Sequence, residues 1–393
     1  MKRYSFKYIF LLTALLAVAC SPKTKRDDLK PAASQNIMEI LEKDSKFSTL
    51  VAALKRTELD KQLASVGPYT IFAPNNEAFT AAGITDINAV PVTTLTRILK
   101  YHLLNFRATS GTFVPSLTTV PATGLPISTT GFTPTDNVFI TWVPTVADEA
   151  PSNDNFFNQQ VHAYMGCLGT LSINGIKVVT PDIVAVNGTI HEIGRVAFPP
   201  TQNLYDYIST NPDLARLKRV VDLAGLSGTL SQGNYDCNST GCGAYTAFLP
   251  NNAAFAAAGF PDDASIGSLS PADFSKLATA IRYHLVSPPS LSSTFTTSAN
   301  LRVRLVFPSA VIANGQKFNS LSSPTVETRR LTATVAQDGR ITLNTARPRT
   351  TDLFGISGKT GQANNAAVVR SDVMLLNGVA HIVDRMLDLT PQP

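Results

Sequence analysis

The sequence predicts an α+β protein built as two tandem copies of one domain. Three observations carry this. The phrase YTIFAPNNEAF, Tyr69 to Phe79, returns as YTAFLPNNAAF, Tyr245 to Phe255. Each copy pairs an amphipathic-helix pattern with short alternating strands. At 393 residues the chain is too long for one ordinary core and suits two.

The N-terminus comes first in the chain. MKRYSFK is a basic leader, and YIFLLTALLAVA is an apolar run of about a dozen residues, short for a bilayer span. AVAC then places small residues before Cys20. This is a secretory signal over 1–19. It resembles a bacterial lipobox, with Ala17 where leucine is usual, which makes Cys20 the expected lipidation site. Two or more acyl chains, at about 0.8 kcal/mol per buried CH₂, give a durable anchor. The alternative is an ordinary signal peptide with an incidental cysteine. Residues 20–35 are polar and charged and read as a flexible tether. The expected location is the outer membrane of a bacterium, on the cell surface or the periplasmic face. The formal charge is +5. Taking Lys2, Arg3 and Lys7 from the 33 basic residues leaves 30 against 28 acidic, a net +2. With 16% charged residues and no basic stripe, nucleic acid is not an expected partner.

Four blocks recur in order. Asn36, Phe47, Leu50 and Leu54 align with Asn203, Leu214, Leu217 and Val221 at an offset of 167. The eleven-residue phrase follows at 176, YHLL/YHLV at 182, and VVTPDIVAVNGTIHEIGRV/VVRSDVMLLNGVAHIVDRM at 190. The growing offset means local insertions in the second copy of a domain-sized duplication. Domain 1 spans 36–198 and domain 2 spans 203–390.

Each block has a physical reading. Phe47, Leu50, Val51 and Leu54 fall on one face of a helix, as do Leu214, Leu217, Val220 and Val221, and Gly225 offers a stop. In YTIFAP, Tyr69, Ile71 and Ala73 alternate with Thr70 and Phe72 as a strand, ended by Pro74. Asn75 or Asn76 can cap the helix that follows. RILKYHLL and TAIRYHLV read as helix ends set in a core. Asn187-Gly188 and Asn377-Gly378 are the hairpin dipeptide, in which both residues accept positive φ. His191 and His381 then fall on the apolar face of the next strand, as core histidines.

These residues resemble the fasciclin (FAS1) family: YTIFAPNNEAF its first box, the Tyr-His pair its central motif, NGTIHEIGRV its second box, all three occurring twice. The resemblance implies, for each domain, a small β-sandwich or wedge flanked by short α-helices. It implies an extracellular or membrane-anchored adhesion module that binds proteins, matrix or glycans, with no cofactor. One departure is Gly194, standing where Asp384 follows the second copy's strand; a salt bridge is expected to be missing from domain 1.

Candidate sites follow. Tyr101–His102 and Tyr283–His284 are read either as core or as ligand contacts. The insertion 105–165 holds Trp142, Phe156 and Phe157, aromatics that could stack on a sugar or anchor a protein; the alternative is a small extra hairpin. Cys237 and Cys242 bracket NSTG as a candidate disulfide, leaving Cys167 unpaired. LRVRLVF and RRLTATVAQDGRITL read as strands, the latter turning at Asp338-Gly339. No pair of histidines has metal-site spacing, and the G-x-S-x-G, H-E-x-x-H and G-x-G-x-x-G signatures are absent from the sequence. The expected function is therefore non-catalytic binding in adhesion or surface assembly, with an extracellular or envelope protein or glycan as partner and the membrane reached through the lipid. The alternative is a glycan-binding accessory lipoprotein of an outer-membrane nutrient-uptake system.

Overall fold

The structure, a computed structural model, describes residues 34–113, 139–144, 160–165, 171–231, 245–286, 309, 312, 317–318, 331–336, 338–345, 356 and 365–387. Cys20, Phe156, Phe157, Cys167, Cys237, Cys242 and the LRVRLVF segment lie outside the described residues.

Domain 1 opens with three short helices, α1 (Ile37–Lys43), α2 (Ser48–Arg56) and α3 (Leu59–Ala64). Asn36 caps α1 in a reciprocal capping box with Glu39. Phe47 sits in a 3₁₀ turn just ahead of α2, and with Leu50 and Leu54 it is buried. Strand β1 (Tyr69–Pro74) leads into α4 (Asn76–Ala81), and α5 (Val92–Tyr101) ends at β2 (Leu103–Leu104). The helix end expected to continue through YHLL therefore stops at Tyr101. Leu103 and Leu104 turn into a strand paired antiparallel with β1.

Five more strands complete the sheet: β3 (Phe139–Pro144), β4 (Gln160–Met165), β5 (Leu171–Ile173), β6 (Ile176–Ala185) and β7 (Gly188–Ile193). Their order is β2-β1-β7-β6-β5-β4-β3. Every described pairing is antiparallel except β1 with β7. Strand β6 loses register between Val178 and Ile183, and this irregularity bends it. Its start pairs with β5 and its end with β7, so one strand serves two sub-sheets. The sheet thus curls on itself as a half-barrel, the wedge that the resemblance implies. Alternation on β1 sends Ile71 and Ala73 to a core under the helices. It sends Phe72 to a second core inside the curl, with Tyr101, Leu104, Leu171, Ile173 and Ile193.

Domain 2 repeats the plan with helices Leu204–Thr210, Ala215–Leu223, Ser227–Ser231, Asn252–Ala257, Asp263–Gly267 and Pro271–Tyr283. Gly225, at φ +64°, ends the second of these, and the Leu226 amide closes back on the Val221 carbonyl at 3.0 Å. Its strands are β8 (Tyr245–Pro250), β9 (Leu285–Val286), β10 (Lys317–Phe318), β11 (Leu331–Val335), β12 (Ile341–Thr345), β13 (Asn365–Leu375) and β14 (Gly378–Val383). They run in the order β10-β11-β12-β13-β14-β8-β9, with β8 and β14 parallel. β11 and β12 form the hairpin expected around Asp338-Gly339, with Gly339 at φ +83°.

The twice-written PNN is a junction. Asn75 and Asn251 cap their helices by accepting the Ala78 and Ala254 amides at 2.9 and 2.8 Å. The second asparagine faces the other way. Asn76 accepts the Thr49 amide and donates to the Ser45 carbonyl, while Asn252 accepts the Arg216 amide and donates to the Pro212 carbonyl. One residue starts a helix, and its neighbour bolts that helix to the preceding one.

Candidate functional site

The Tyr-His pairs end the α5 helix and its domain 2 counterpart. His102 Nδ1 donates to the Ile98 carbonyl at 2.8 Å, and Nε2 accepts the Ala197 amide at 3.0 Å. His284 does the same with the Ala280 carbonyl and the Leu387 amide, both at 2.9 Å. Each imidazole thus joins a helix end to the segment leaving the last strand, and its tautomer follows from these partners. Burial pushes the His102 pKa down to about 4 against the pull of the Ile98 carbonyl. The Tyr101 hydroxyl accepts from Asn174 Nδ2 at 2.9 Å, and burial raises its pKa. Tyr101, His102, Tyr283 and His284 are all buried. Of the two sequence readings, this geometry places them in the core, where their side chains do not meet solvent.

The Asn-Gly pairs differ from expectation in an informative way. The two-residue turn is Val186-Asn187, because Ala185 pairs with Gly188; Leu376-Asn377 matches it. Asn187 and Asn377 are not at positive φ. Their side chains hold the chain entry instead. Asn187 accepts the Ile37 amide at 2.9 Å and donates to the Leu63 and Ser65 carbonyls, each at 2.7 Å. Asn377 accepts the Leu204 amide and donates to the Leu230 carbonyl, both at 2.8 Å. The glycines are needed for close approach. A Cβ on Gly188 would lie 2.2 Å from the Tyr69 carbonyl oxygen, and one on Gly378 2.1 Å from that of Tyr245. The turn with both residues at positive φ is Asn174-Gly175, between β5 and β6. The Asn-Gly signal in SINGI marks it.

His191 and His381 are buried and stack on Phe72 and Phe248 with centroids 5.4 and 5.3 Å apart. His191 Nδ1 accepts the Asp182 amide at 3.2 Å and Nε2 donates to the Ala108 carbonyl at 3.0 Å. His381 Nδ1 accepts the Asp372 amide at 3.4 Å. The two aspartates were missed as functional positions, although both stand at one place in the 190-offset block. Each sits at φ 61°, which aspartate tolerates better than most residues. Asp182 takes the Ser110 amide and hydroxyl, and Asp372 those of Ser309. Serine, aspartate and histidine are the residue types of a hydrolase triad, but the roles are not. Both His191 nitrogens are engaged with backbone, so the ring cannot take a proton from Ser110.

Trp142 lies on β3, in register with His162 of β4; the insertion that holds it extends the sheet. Asp384 Oδ1 accepts the Ala367 amide at 2.8 Å. The acid that Gly194 lacks therefore serves a strand end here. Arg340 pairs with Asp338 at 2.7 Å on the surface. Among the described residues no group of three or more His, Cys, Asp or Glu is placed to hold a metal ion, and no helix is long and apolar enough to cross a membrane.

The fasciclin domain family matches residues 45–199 and 212–389, and the chain belongs to that family. Protein sll1483 of Synechocystis sp. is 29% identical over 172 residues, which cover 43% of this chain and 76% of that protein. Human periostin is 28% identical over 182 residues, 44% of this chain and 17% of periostin. Rabbit transforming growth factor-beta-induced protein ig-h3 is 39% identical over 79 residues, 20% of this chain and 12% of that protein. A solved FAS1 domain pair from the insect cell adhesion molecule Fasciclin I shares 14% identity, covering 88% of this chain and 97% of the other at a TM-score of 0.35.

Proposed function

We propose that the protein is anchored to the bacterial outer membrane by lipid on Cys20 and acts as a non-catalytic binding protein in adhesion or surface assembly. Residues 20–35 tether domains over 36–198 and 203–390. The observation that supports this is the doubling of a fasciclin domain behind an apolar leader that ends in a cysteine. Two linked modules raise the effective concentration for a repetitive partner without any new contact. The four motif histidines fit a scaffold better than a reaction centre. Each has a ring nitrogen committed to backbone.

The test is protease shaving of intact cells, blotted beside a periplasmic control, together with labelled-palmitate incorporation. Expected are loss of the protein while the control survives, and label that disappears in Cys20→Ala. Protection until the cells are broken would exclude adhesion to other cells. Unchanged labelling in Cys20→Ala would remove the anchor.

A further inference from the structure

We propose that the cleft between the two domains binds an acidic saccharide, with Arg370 taking a sugar carboxylate and Phe198 stacking on the ring. This stands apart from the adhesion reading, because it concerns a site shared by the domains whatever the protein adheres to. The cleft is about 510 Å³, within the usual range for small-ligand pockets. One wall is the β5–β6 hairpin of domain 1, and the opposite wall is Arg370 to Leu375 of β13. The connector from Arg195 to Gln202 closes the base.

Its geometry is fixed by contacts from both sides. Gly175, at the hairpin tip, lies so close to Asp372 that a Cβ there would be 2.4 Å from that carboxyl carbon. Arg195 donates to the Gly175 carbonyl at 3.3 Å and pairs with Asp372 at 3.7 Å. Pro199 and Pro200 stiffen the connector. The protein's own contacts therefore hold the walls in place, which lowers the cost of binding.

Its charge is positive. Asp372 is the one acid in the lining, and its side chain is only 3% exposed. The Ser309 amide and hydroxyl, the Ser371 hydroxyl and Arg195 already serve it. Arg370 is exposed, and among the described residues it forms no ion pair with a carboxylate. The repeat explains why. The matching residue in domain 1 is Thr180, which donates to Glu192, whereas domain 2 carries Ile382 at the Glu192 position. A guanidinium with open donors recognises a carboxylate in two-pronged fashion. Phe198, 47% exposed, adds an apolar face, and Thr201 and Gln202 add polar groups for hydroxyls. A flat aromatic sharing a cleft with the Arg370 guanidinium and neutral polar groups suits a uronic acid better than a lipid tail.

The test is calorimetric titration of the purified full chain with trigalacturonate, maltotriose and an N-acetylated triaspartate peptide. Trigalacturonate should bind, and maltotriose should bind roughly tenfold more weakly or not at all. Arg370→Ala and Phe198→Ala should each weaken trigalacturonate by roughly tenfold while thermal melting stays unchanged, since both side chains are exposed. Arg370→Lys should recover part of the loss. Three results would overturn the proposal: no trigalacturonate binding, binding indifferent to both alanine substitutions, or triaspartate binding as tightly as the sugar. The last would make this an acidic-peptide site.

Discussion

Domain 1 buries a carboxylate where domain 2 buries an isoleucine. Glu192 and Ile382 hold the same place on the last strand, each beside the capping asparagine of its domain. Around Glu192 gather Lys46 at 2.9 Å, Thr180 Oγ1 at 2.7 Å and Asn75 Nδ2 at 3.3 Å. Around Ile382 none of these partners is retained except the asparagine: Lys46 aligns with Asp213, and Thr180 with Arg370. Yet the strands, the parallel β1–β7 and β8–β14 pairings, the PNN junctions and the histidine locks are the same in both. What two diverged copies share are the groups that satisfy buried backbone. What they exchange here is a buried carboxylate with its ring of side-chain partners for an isoleucine. An unmade backbone hydrogen bond in a core costs more than a lost contact between side chains.

The strongest way to break the comparison is at the shared glycines. In Gly188→Ala the new methyl would meet the Tyr69 carbonyl oxygen at 2.2 Å and the Ile37 side chain at 2.6 Å; in Gly378→Ala it would meet the Tyr245 carbonyl at 2.1 Å. A carbonyl in a strand cannot retreat without loosening the parallel pair. Each substitution should cost about 3 kcal/mol or more and unfold its own domain. The effect should be large in both copies and no smaller in domain 2, where Gly378 also sits at φ +154°, read by hydrogen exchange resolved to each domain. A mild effect in either would show that the close approach is not what fixes the glycine.

Next in size is a pH effect on the histidine lock of domain 1. The folded pKa of His102, about 4, lies below its ordinary 6.5. Below pH 6.5 the unfolded chain takes up a proton that the folded state refuses, so stability falls as pH drops from 6.5 towards 4. The loss should approach about 3 kcal/mol from this group. His191 adds to it in the same direction, since burial also lowers its pKa. Denaturant unfolding at stepped pH checks this, with His102→Gln expected to flatten the slope in that window. An equally steep slope in the variant would assign the acid sensitivity elsewhere.

The sequence made the frame legible to different depths. Period and repetition were enough for the duplicated helices and strands, because burial enforces the spacing of Leu50 and Leu54, or of Ile71 and Ala73, wherever the fold recurs. The Asn-Gly pairs were legible as turns but not as to role. Local φ rules describe isolated hairpins, whereas Gly188 answers to a strand more than a hundred residues away. Asp182 and Asp372 stood in plain view within the repeat. Their task depends on an αL conformation and on Ser110 and Ser309, which sequence spacing does not bring together. The cleft was beyond reach, because it is made by two domains meeting around Arg195 and Asp372.

The smallest expected effect sharpens the comparison where the copies differ. Burial pushes the Glu192 carboxyl up, but hydrogen bonds from Thr180, Lys46 and Asn75 outweigh it and leave its pKa below the ordinary value. Glu192→Gln keeps one acceptor oxygen, for Asn75, and turns an amide NH₂ toward Thr180, whose hydroxyl can accept instead of donating; the main loss is the attraction to Lys46. That lysine is 40% exposed, and it also pairs with Asp44 at 3.2 Å. Solvent screening limits the loss to about 0.5–1 kcal/mol at neutral pH. Because the folded pKa is depressed, the contribution is present above the unfolded value, 4.5, and disappears as pH falls through the folded one. The melting difference between the wild type and Glu192→Gln should therefore be visible at pH 7 and shrink progressively at pH values below 4.5. A difference that persists there would mean that Glu192 works by packing, as Ile382 does, and that the two domains differ at this position less than their chemistry suggests.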